Sequence, residues 1–324
     1  MKKFLIIQTA FLGDVILATP LIEELKRLYP ESEIDVLVKK GNEGLLKSHP
    51  KINELFLFDK SNGKYKNMWK LIKTFRSKRY DRIINLHRFA SSGLIAVLSG
   101  GKETVGFSKN PLSRFYSKRF PHLLDGRHEV ERNLSLISDL GAKSKVRPQL
   151  YPTAEDYKKV EAYQAQPYFC LAPASVWFTK QLPKEKWIGL MNKLPSDSIL
   201  YLIGGAGDFE LCEEIKNTAA LDNVRNIAGT FNLLQSAALF EKASRTFVND
   251  SGPLHLCSAV NAPVTAFFCS TVPAFGFGPL SDDSRIVQLE EPLYCRPCGI
   301  HGYKSCPENH FRCGHDILIN ADSF

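Results

Sequence analysis

Apolar positions along the chain fall into two alternating rhythms. Short runs rich in Ile, Leu, Val and Phe read as strands buried on both faces: KFLIIQ (3–8), EIDVLVK (33–39), ELFLFD (54–59), RIINLH (82–87), YFCLAP (168–173), SILYLIGG (198–205), RTFVND (245–250) and VTAFFC (264–269). Between them lie stretches with apolar residues at helical spacing, such as LATPLIEELKRLYP (17–30). Strand–helix–strand alternation with buried strands predicts an α/β protein built on parallel sheets. The rhythm fades over KVRPQLYPTAEDY (145–157) and restarts at Tyr168. That Pro-containing stretch predicts a boundary between two doubly wound units, 1–155 and 156–324, each with ligand positions at the carboxyl ends of its strands. Residues 100–130, rich in Gly, Pro and basic side chains, read as a loop region.

The length of 324 residues agrees with two domains of about 150 each. No apolar run approaches the ~18 residues of a membrane span. The opening MKKFLIIQTAFLGD mimics a signal peptide, but Gln8 and Thr9 interrupt its apolar stretch and no small-residue cleavage site follows. It is expected to be the buried first strand of a cytoplasmic protein. Charge changes the picture more. Residues 1–160 hold 30 Lys and Arg against 17 Asp and Glu, whereas 161–324 hold 12 against 17. A basic half points to an anionic partner: nucleic acid, a phosphorylated glycolipid or a membrane surface. A solvated basic face without a partner is the plain alternative.

The first strand-to-helix turn, TAFLGDV, carries Gly13 and Asp14. Gly13 permits close backbone approach. Asp14 at a helix start is favoured by the helix dipole, so it reads either as a helix cap or as a general base. The G-x-G-x-x-G dinucleotide fingerprint is absent. Three stretches of the second half add candidate chemistry. LAPASVWFTKQLPKEKWIGL (171–190) places Lys180 in a turn before a Pro-started helix, where it can meet a phosphate. YLIGGAGDFELCEEI (201–215) is a strand, a glycine turn with Asp208, and a helix. FVNDSGPLHLCSAVNAPVTAFF (247–268) leads from a strand into a helix capped by Asp250 or Ser251, with the free amides of Gly252 and its neighbours offering an anion site and His255 one turn further in.

Together and in this order these segments resemble glycosyltransferase family 9, the ADP-heptose:lipopolysaccharide heptosyltransferases. The resemblance rests on FLGDVILATP (11–20), HEVERNLSLISDLG (128–141), APASVWFTKQLPKEKW (172–187) and above all NDSGPLHLCSAVNAPVTAFF (249–268), which contains the family's Asp-[Ser/Thr]-Gly-Pro-x-His motif at 250–255. It implies the GT-B architecture, two Rossmann-like domains facing a central cleft. It also implies inverting transfer of a heptose from an ADP-heptose donor onto the lipopolysaccharide inner core, at the cytoplasmic face of the inner membrane. Carried onto this chain, Asp14 looks like the catalytic base and Lys180 like the phosphate-binding lysine. Ser175 stands where a small hydroxyl touches the diphosphate, and Asp250 where sugar hydroxyls are held. Ser251, Gly252 and His255 fall at the diphosphate, and Asp208 at the ribose. The basic half would then grip an acceptor rich in phosphate and acidic sugar. Its candidate contacts are Gly13, Lys60, Lys64, Arg88, Arg114 and Arg119, with Lys109, Lys118 and Arg127 as further cations. With Lys180 and helix amides on the diphosphate, catalysis needs no metal and no cofactor. Gln181-Leu182 departs from the Arg-Trp or His-Trp pair common after the lysine, and Trp177 and Phe178 are bulky where polar residues are common.

Eight cysteines divide in two groups. Cys170, Cys212, Cys257 and Cys269 lie in apolar or helical runs and read as reduced core residues. Cys295, Cys298, Cys306 and Cys313, interleaved with His301, His310 and His315, have a spacing that in a cytosolic chain favours structural Zn over disulfides; a reduced Cys-rich loop is the alternative. Two other functions compete with heptose transfer: a family member moving another nucleotide sugar into cell-surface polysaccharide, and an anion- or nucleic-acid-binding protein. No RNA-binding aromatic signature or DNA-reading helix pattern supports the last, so no nucleic-acid partner is expected.

Overall fold

A computed structural model describes residues 1–320 except Asn62. The chain divides into two compact units, Met1–Tyr151 and the residues from Pro152 onward.

The first unit holds a six-stranded parallel sheet: β1 (Lys3–Gln8), β2 (Glu33–Lys39), β3 (Glu54–Phe58), β4 (Arg82–Asn85), β5 (Glu103–Phe107) and β6 (Lys118–Phe120), in the order β3-β2-β1-β4-β5-β6. Its helices are α1 (Leu12–Ile16), α2 (Thr19–Leu28), α3 (Lys64–Lys78), α4 (Ala90–Leu98) and α5 (Glu129–Ser135). β1 is central, and Phe4 through Gln8 are buried, as the unbroken apolar run predicts. One face of α3 (Met68, Leu71, Ile72, Phe75) packs with Leu5, Ile7, Leu37 and Phe58 of the sheet into a single core.

In the second unit the strands are β7 (Tyr168–Ala172), β8 (Ile199–Leu202), β9 (Val224–Asn226), β10 (Arg245–Asn249), β11 (Val264–Phe268) and β12 (Ser284–Gln288), in the order β12-β11-β10-β7-β8-β9. The helices are α6 (Ala154–Val160), α7 (Lys184–Met191), α8 (Phe209–Ala219), α9 (Leu233–Glu241), α10 (Gly252–Val260) and the short α11 (Arg312–His315). Trp187 of α7 is fully buried at the centre of a core that Phe311, Cys313 and Ile317 of the C-terminal segment complete.

Renumbered from its own first strand, the second sheet repeats the order of the first. In both, the chain leaves the first strand in one direction and returns to its other side with the fourth. That switch point, β1/β4 in one unit and β7/β10 in the other, is where a doubly wound sheet opens a crevice at its carboxyl edge.

The sequence reading of residues 100–130 as loop is corrected: β5 and β6 lie within it. β5 contains Gly106, which lowers strand propensity, yet a Cβ there would come within 2.6 Å of the Tyr116 ring and 2.8 Å of the Asn85 carbonyl oxygen. The glycine lets β4 and Tyr116 close on the strand. β6 and β9 span three residues each, too short for an alternation to register.

Candidate active site

In the first unit, the turn after β1 leads directly into α1. Asp14 is the third residue of that helix, and its Oδ2 accepts a hydrogen bond from the Phe11 backbone N–H at 3.2 Å. Part of the capping reading is therefore seen. The carboxyl nevertheless carries unusual electrostatics. Burial raises its pKa to about 6, with a further push from the Glu129 carboxylate, against the Phe11 amide and the Arg88 guanidinium, which lower it. Glu129 is itself buried; burial raises its pKa, but His122 (Nε2 to Oε2 3.2 Å) and Arg132 (Nε to Oε2 2.7 Å) outweigh that and hold it low, hence ionised.

Beside Asp14, the switch point is bridged by side chains. Thr9 Oγ1, just past β1, lies 2.9 Å from Nδ1 of His87, just past β4. Burial lowers the His87 pKa to about 4, assisted by Lys60 and Arg88. Lys60 donates to the Thr9 carbonyl oxygen at 2.7 Å, and its own pKa is lowered, first by burial and then by Lys39 and Lys64. Of the acceptor-side candidates, Gly13, Lys60 and Arg88 thus gather at this edge. Lys64 opens α3 with its Nζ 5.6 Å from the Tyr65 ring centroid. Arg114 stacks over Phe115 at 4.7 Å, and Arg119 and Lys109 are exposed. Lys118 and Arg127 are bound elsewhere, Lys118 to Asp139 at 2.6 Å and Arg127 to Asp125 at 2.7 Å. Thr9, His87 and Glu129 were not singled out as site residues from sequence. The position of His87 at the end of RIINLH was the available signal.

The switch point of the second unit is bridged by charge. Lys180 Nζ sits 2.7 Å from Asp250 Oδ2, with both side chains largely buried, and Thr271 Oγ1 donates to the same oxygen at 2.7 Å. Asn249, the last residue of β10, fastens the lysine loop: its Nδ2 donates to the Pro173 carbonyl at 2.8 Å and its Oδ1 accepts from the Leu182 N–H at 2.9 Å. From behind, the Thr179 N–H donates to the Tyr303 carbonyl at 3.1 Å while Tyr303 N–H donates to Thr179 Oγ1 at 2.8 Å. Gly302, at φ +73°, makes this approach possible, since a Cβ would meet Thr179 Oγ1 at 2.9 Å. Gln181, the residue that departs from the resemblance, donates through Nε2 to the Ser175 carbonyl at 2.7 Å and so shapes the loop holding Ser175.

Ser251 occupies the cap position of α10, yet neither it nor Asp250 caps the helix. The Ser251 hydroxyl donates to the Asn249 carbonyl at 3.3 Å, and Asp250 turns to Lys180 and Thr271. The amides at the helix start, from Gly252 on, are left without a side-chain cap. His255 is buried in the first turn and a half, its ring 6.4 Å from that of Phe277. Asp208 takes a local role, accepting from the Gly205 N–H at 2.8 Å and closing the glycine turn.

The four cysteines expected as metal ligands lie near one another: Cys298, Cys306 and Cys295 all act on the Cys313 thiol, and Cys295 and Cys306 act on that of Cys298. Among the described residues, no group of three or more His, Cys, Asp or Glu is placed to hold a metal ion. Cys313 is buried in the core, where its thiol is pushed up to about 12. Cys298 donates to the Cys295 carbonyl at 3.1 Å, and Cys295 lies 3.8 Å from His310 Nε2. All four are free thiols. Cys313 also packs in the core, with Cys295 and Cys306 against the same cluster.

Two parallel sheets of this order, each with polar groups at its switch point, are the GT-B architecture of nucleotide-sugar glycosyltransferases. The profile of glycosyltransferase family 9 (heptosyltransferase) matches residues 68–303. Lipopolysaccharide heptosyltransferase 3 from Escherichia coli is 30% identical over 278 residues, covering 81% of this chain and 82% of that one. Lipopolysaccharide heptosyltransferase 2 from Escherichia coli K12 is 27% identical over 314 residues, covering 89% and 88%. The solved structure of the E. coli ADP-heptose LPS heptosyltransferase II superposes with a TM-score of 0.78 at 24% identity, over 98% of each chain. The chain belongs to glycosyltransferase family 9, the heptosyltransferases, and is a glycosyltransferase; a binding protein without an activity is set aside.

Proposed function

We propose that the enzyme moves a heptose from ADP-heptose onto the inner core of lipopolysaccharide, with inversion at the anomeric carbon, on the cytoplasmic side of the inner membrane. The observation that carries the mechanism is Asp14, a carboxyl with a pKa of about 6 at the carboxyl edge of the first sheet. A base with a pKa just below the operating pH is ionised yet still basic enough to accept a proton. An Asp14 oxygen takes the proton of an acceptor hydroxyl, the hydroxyl oxygen forms the new glycosidic bond, and the bond to the diphosphate breaks on the opposite side of the carbon. The departing ADP carries away the electron pair. Lys180 and the uncapped amides at the start of α10 meet its charge, with Ser175, Ser251, Gly252 and His255 around the diphosphate. Asp250 positions Lys180 and can hold a sugar hydroxyl, and Asp208 keeps the adjoining glycine turn in shape near the ribose. Fixed positive groups do what a bound cation otherwise does, so the step as written uses no metal. Lys60, Lys64, Arg88, Arg114 and Arg119 would bind phosphate and acidic sugar of the acceptor.

The loop change at Gln181 falls where donor contacts are expected, so the test compares donors. The chain is incubated with ADP-heptose, ADP-glucose or UDP-glucose and with lipopolysaccharide from cells lacking this protein, and product configuration is read by NMR. The reading expects transfer from ADP-heptose with inverted configuration. Transfer from another donor only would replace the substrate assignment, and retained configuration would remove the Asp14 mechanism.

A further inference from the structure

One face of α3 is unused by the fold and unused by the proposed chemistry. The helix buries Met68, Leu71, Ile72 and Phe75 and turns Tyr65, Lys66, Trp69, Lys70 and Lys73 to the solvent. Tyr65 and Trp69 are large rings left 70% and 51% exposed one helical turn apart. The fifteen residues contain no Asp or Glu, and among the described residues Lys66, Lys70 and Lys73 form no ion pair.

The arrangement is ordered. At 100° per residue, Tyr65 and Trp69 lie about 40° apart, and Lys73, Lys66 and Lys70 occupy the next arc of about 60°; Arg76, between the rings in angle, is tied to the fold through the Leu98 carbonyl at 3.2 Å. An aromatic strip therefore runs beside a cationic strip. Tyr and Trp are most stable where one part of the ring meets hydrocarbon and another meets water, and lysine stems can lie along an apolar layer with their ammonium groups at phosphates. The two strips match the two layers of an anionic bilayer surface: the headgroup–acyl boundary and the phosphates above it.

The position of the face matters as much as its chemistry. α3 follows β3 and runs back along the sheet, so its N-terminal end lies at the carboxyl edge that carries Asp14. Lys60, four residues before α3, donates to the Thr9 carbonyl beside the Asp14 turn and fixes that end of the connection. Both rings lie in the first two turns of α3, toward this edge. Among the described residues no helix is long and apolar enough to cross a membrane.

We propose that the outer face of α3 docks the enzyme onto an anionic lipid bilayer, rings at the headgroup boundary and lysines on the phosphates, presenting the Asp14 edge to a lipid-anchored acceptor. This rests on the glycolipid-acceptor reading above. Each cation near an anionic leaflet is worth about five-fold in affinity, so three act as about 100-fold at low salt.

The test uses the full chain with vesicles of phosphatidylcholine, alone or mixed with phosphatidylglycerol. Sedimentation should show binding to the mixed vesicles only, reversed by salt, and tryptophan emission should shift to the blue, a shift that Trp69→Phe abolishes. Replacing Lys66, Lys70 and Lys73 by Gln should weaken binding about 100-fold, and Tyr65→Ala with Trp69→Ala about ten-fold. Both variants should keep wild-type turnover on a delipidated, water-soluble acceptor. Binding that survives the triple substitution, equal binding to neutral vesicles, or displacement from vesicles by an oligonucleotide at lower concentration than by anionic lipid would overturn the docking. Transfer to soluble acceptor without vesicle binding removes the docking alone. Vesicle binding through α3 without any heptose transfer supports the face and overturns the glycolipid reading.

Discussion

The two switch points occupy the same place in two sheets of the same order, and they are built on opposite electrostatic plans. In the first unit three neighbouring groups are each displaced toward the neutral form: Asp14 up to about 6, His87 down to about 4, and Lys60 downward, with burial the largest cause each time. In the second, Lys180 and Asp250 are kept as a hydrogen-bonded pair at 2.7 Å, each supplying the counter-charge that burial demands. The scaffold sets where a ligand can sit; the residues at two strand ends decide whether the site handles a proton or a charge. On the proposed function the first edge gains and loses a proton, which desolvation favours, and the second meets a diphosphate, for which Lys180 is held in place by Asp250.

The largest effect should come from breaking the first plan. Asp14→Asn preserves the size of the side chain and an oxygen for the Phe11 N–H, so a pure cap would be left intact. The expected outcome is a loss of turnover of roughly 100-fold or more with unchanged donor affinity. The stability change has a definite sign. Folded Asp14 holds its proton more tightly than the unfolded chain does, so its contribution favours folding at low pH and is lost as pH rises through about 6. The variant should therefore melt no lower than wild type at pH 8. A melting temperature and turnover both close to wild type would return Asp14 to a cap.

The second plan breaks differently. Lys180→Met leaves the Asp250 carboxylate buried beside Thr271 alone and should cost about 3–5 kcal/mol in chemical denaturation. Combining it with Asp250→Asn should recover most of that stability without restoring ADP affinity. If the double variant binds ADP as wild type does, Lys180 is structural and the contrast between the edges fails.

The pH profile sharpens the comparison with a smaller effect. Log kcat/KM should fall with unit slope below about pH 6, and Glu129→Gln should move that limb to lower pH by removing a carboxylate that opposes ionisation of Asp14. His87→Asn should leave the limb in place, because His87 titrates near 4. A limb that follows His87 instead would reassign the base.

What the sequence disclosed was local. The strands β1 and β2 coincide with their apolar runs, and Asp14, Lys180 and the 250–255 motif were each visible within a few residues of a strand end. The pairings were not visible. Thr9 meets His87 across 78 positions, and Leu182 meets Asn249 across 67, because β4 and β10 insert beside the first strand of their sheets. Local pattern carries no record of that insertion. For the same reason Asp250, which reads as a helix cap in isolation, proves to be the partner of a lysine on another strand's loop. Short edge strands and the Gly106 strand escaped because their stabilisation is tertiary. The cysteine spacing did not disclose that Phe311 and Cys313 are drawn into the core around Trp187.

The tie between Thr179 and Tyr303 sets a timetable for the nascent chain. The lysine loop is made early in the second unit, but its rear support arrives 124 positions later. At elongation rates of ~5–20 residues per second that gap lasts on the order of 6–25 s. Until Asn249 is made the loop lacks both supports, and until Tyr303 is made it still lacks one. A ribosome stalled before Gly302 would hold a sheet whose lysine loop still lacks its rear support.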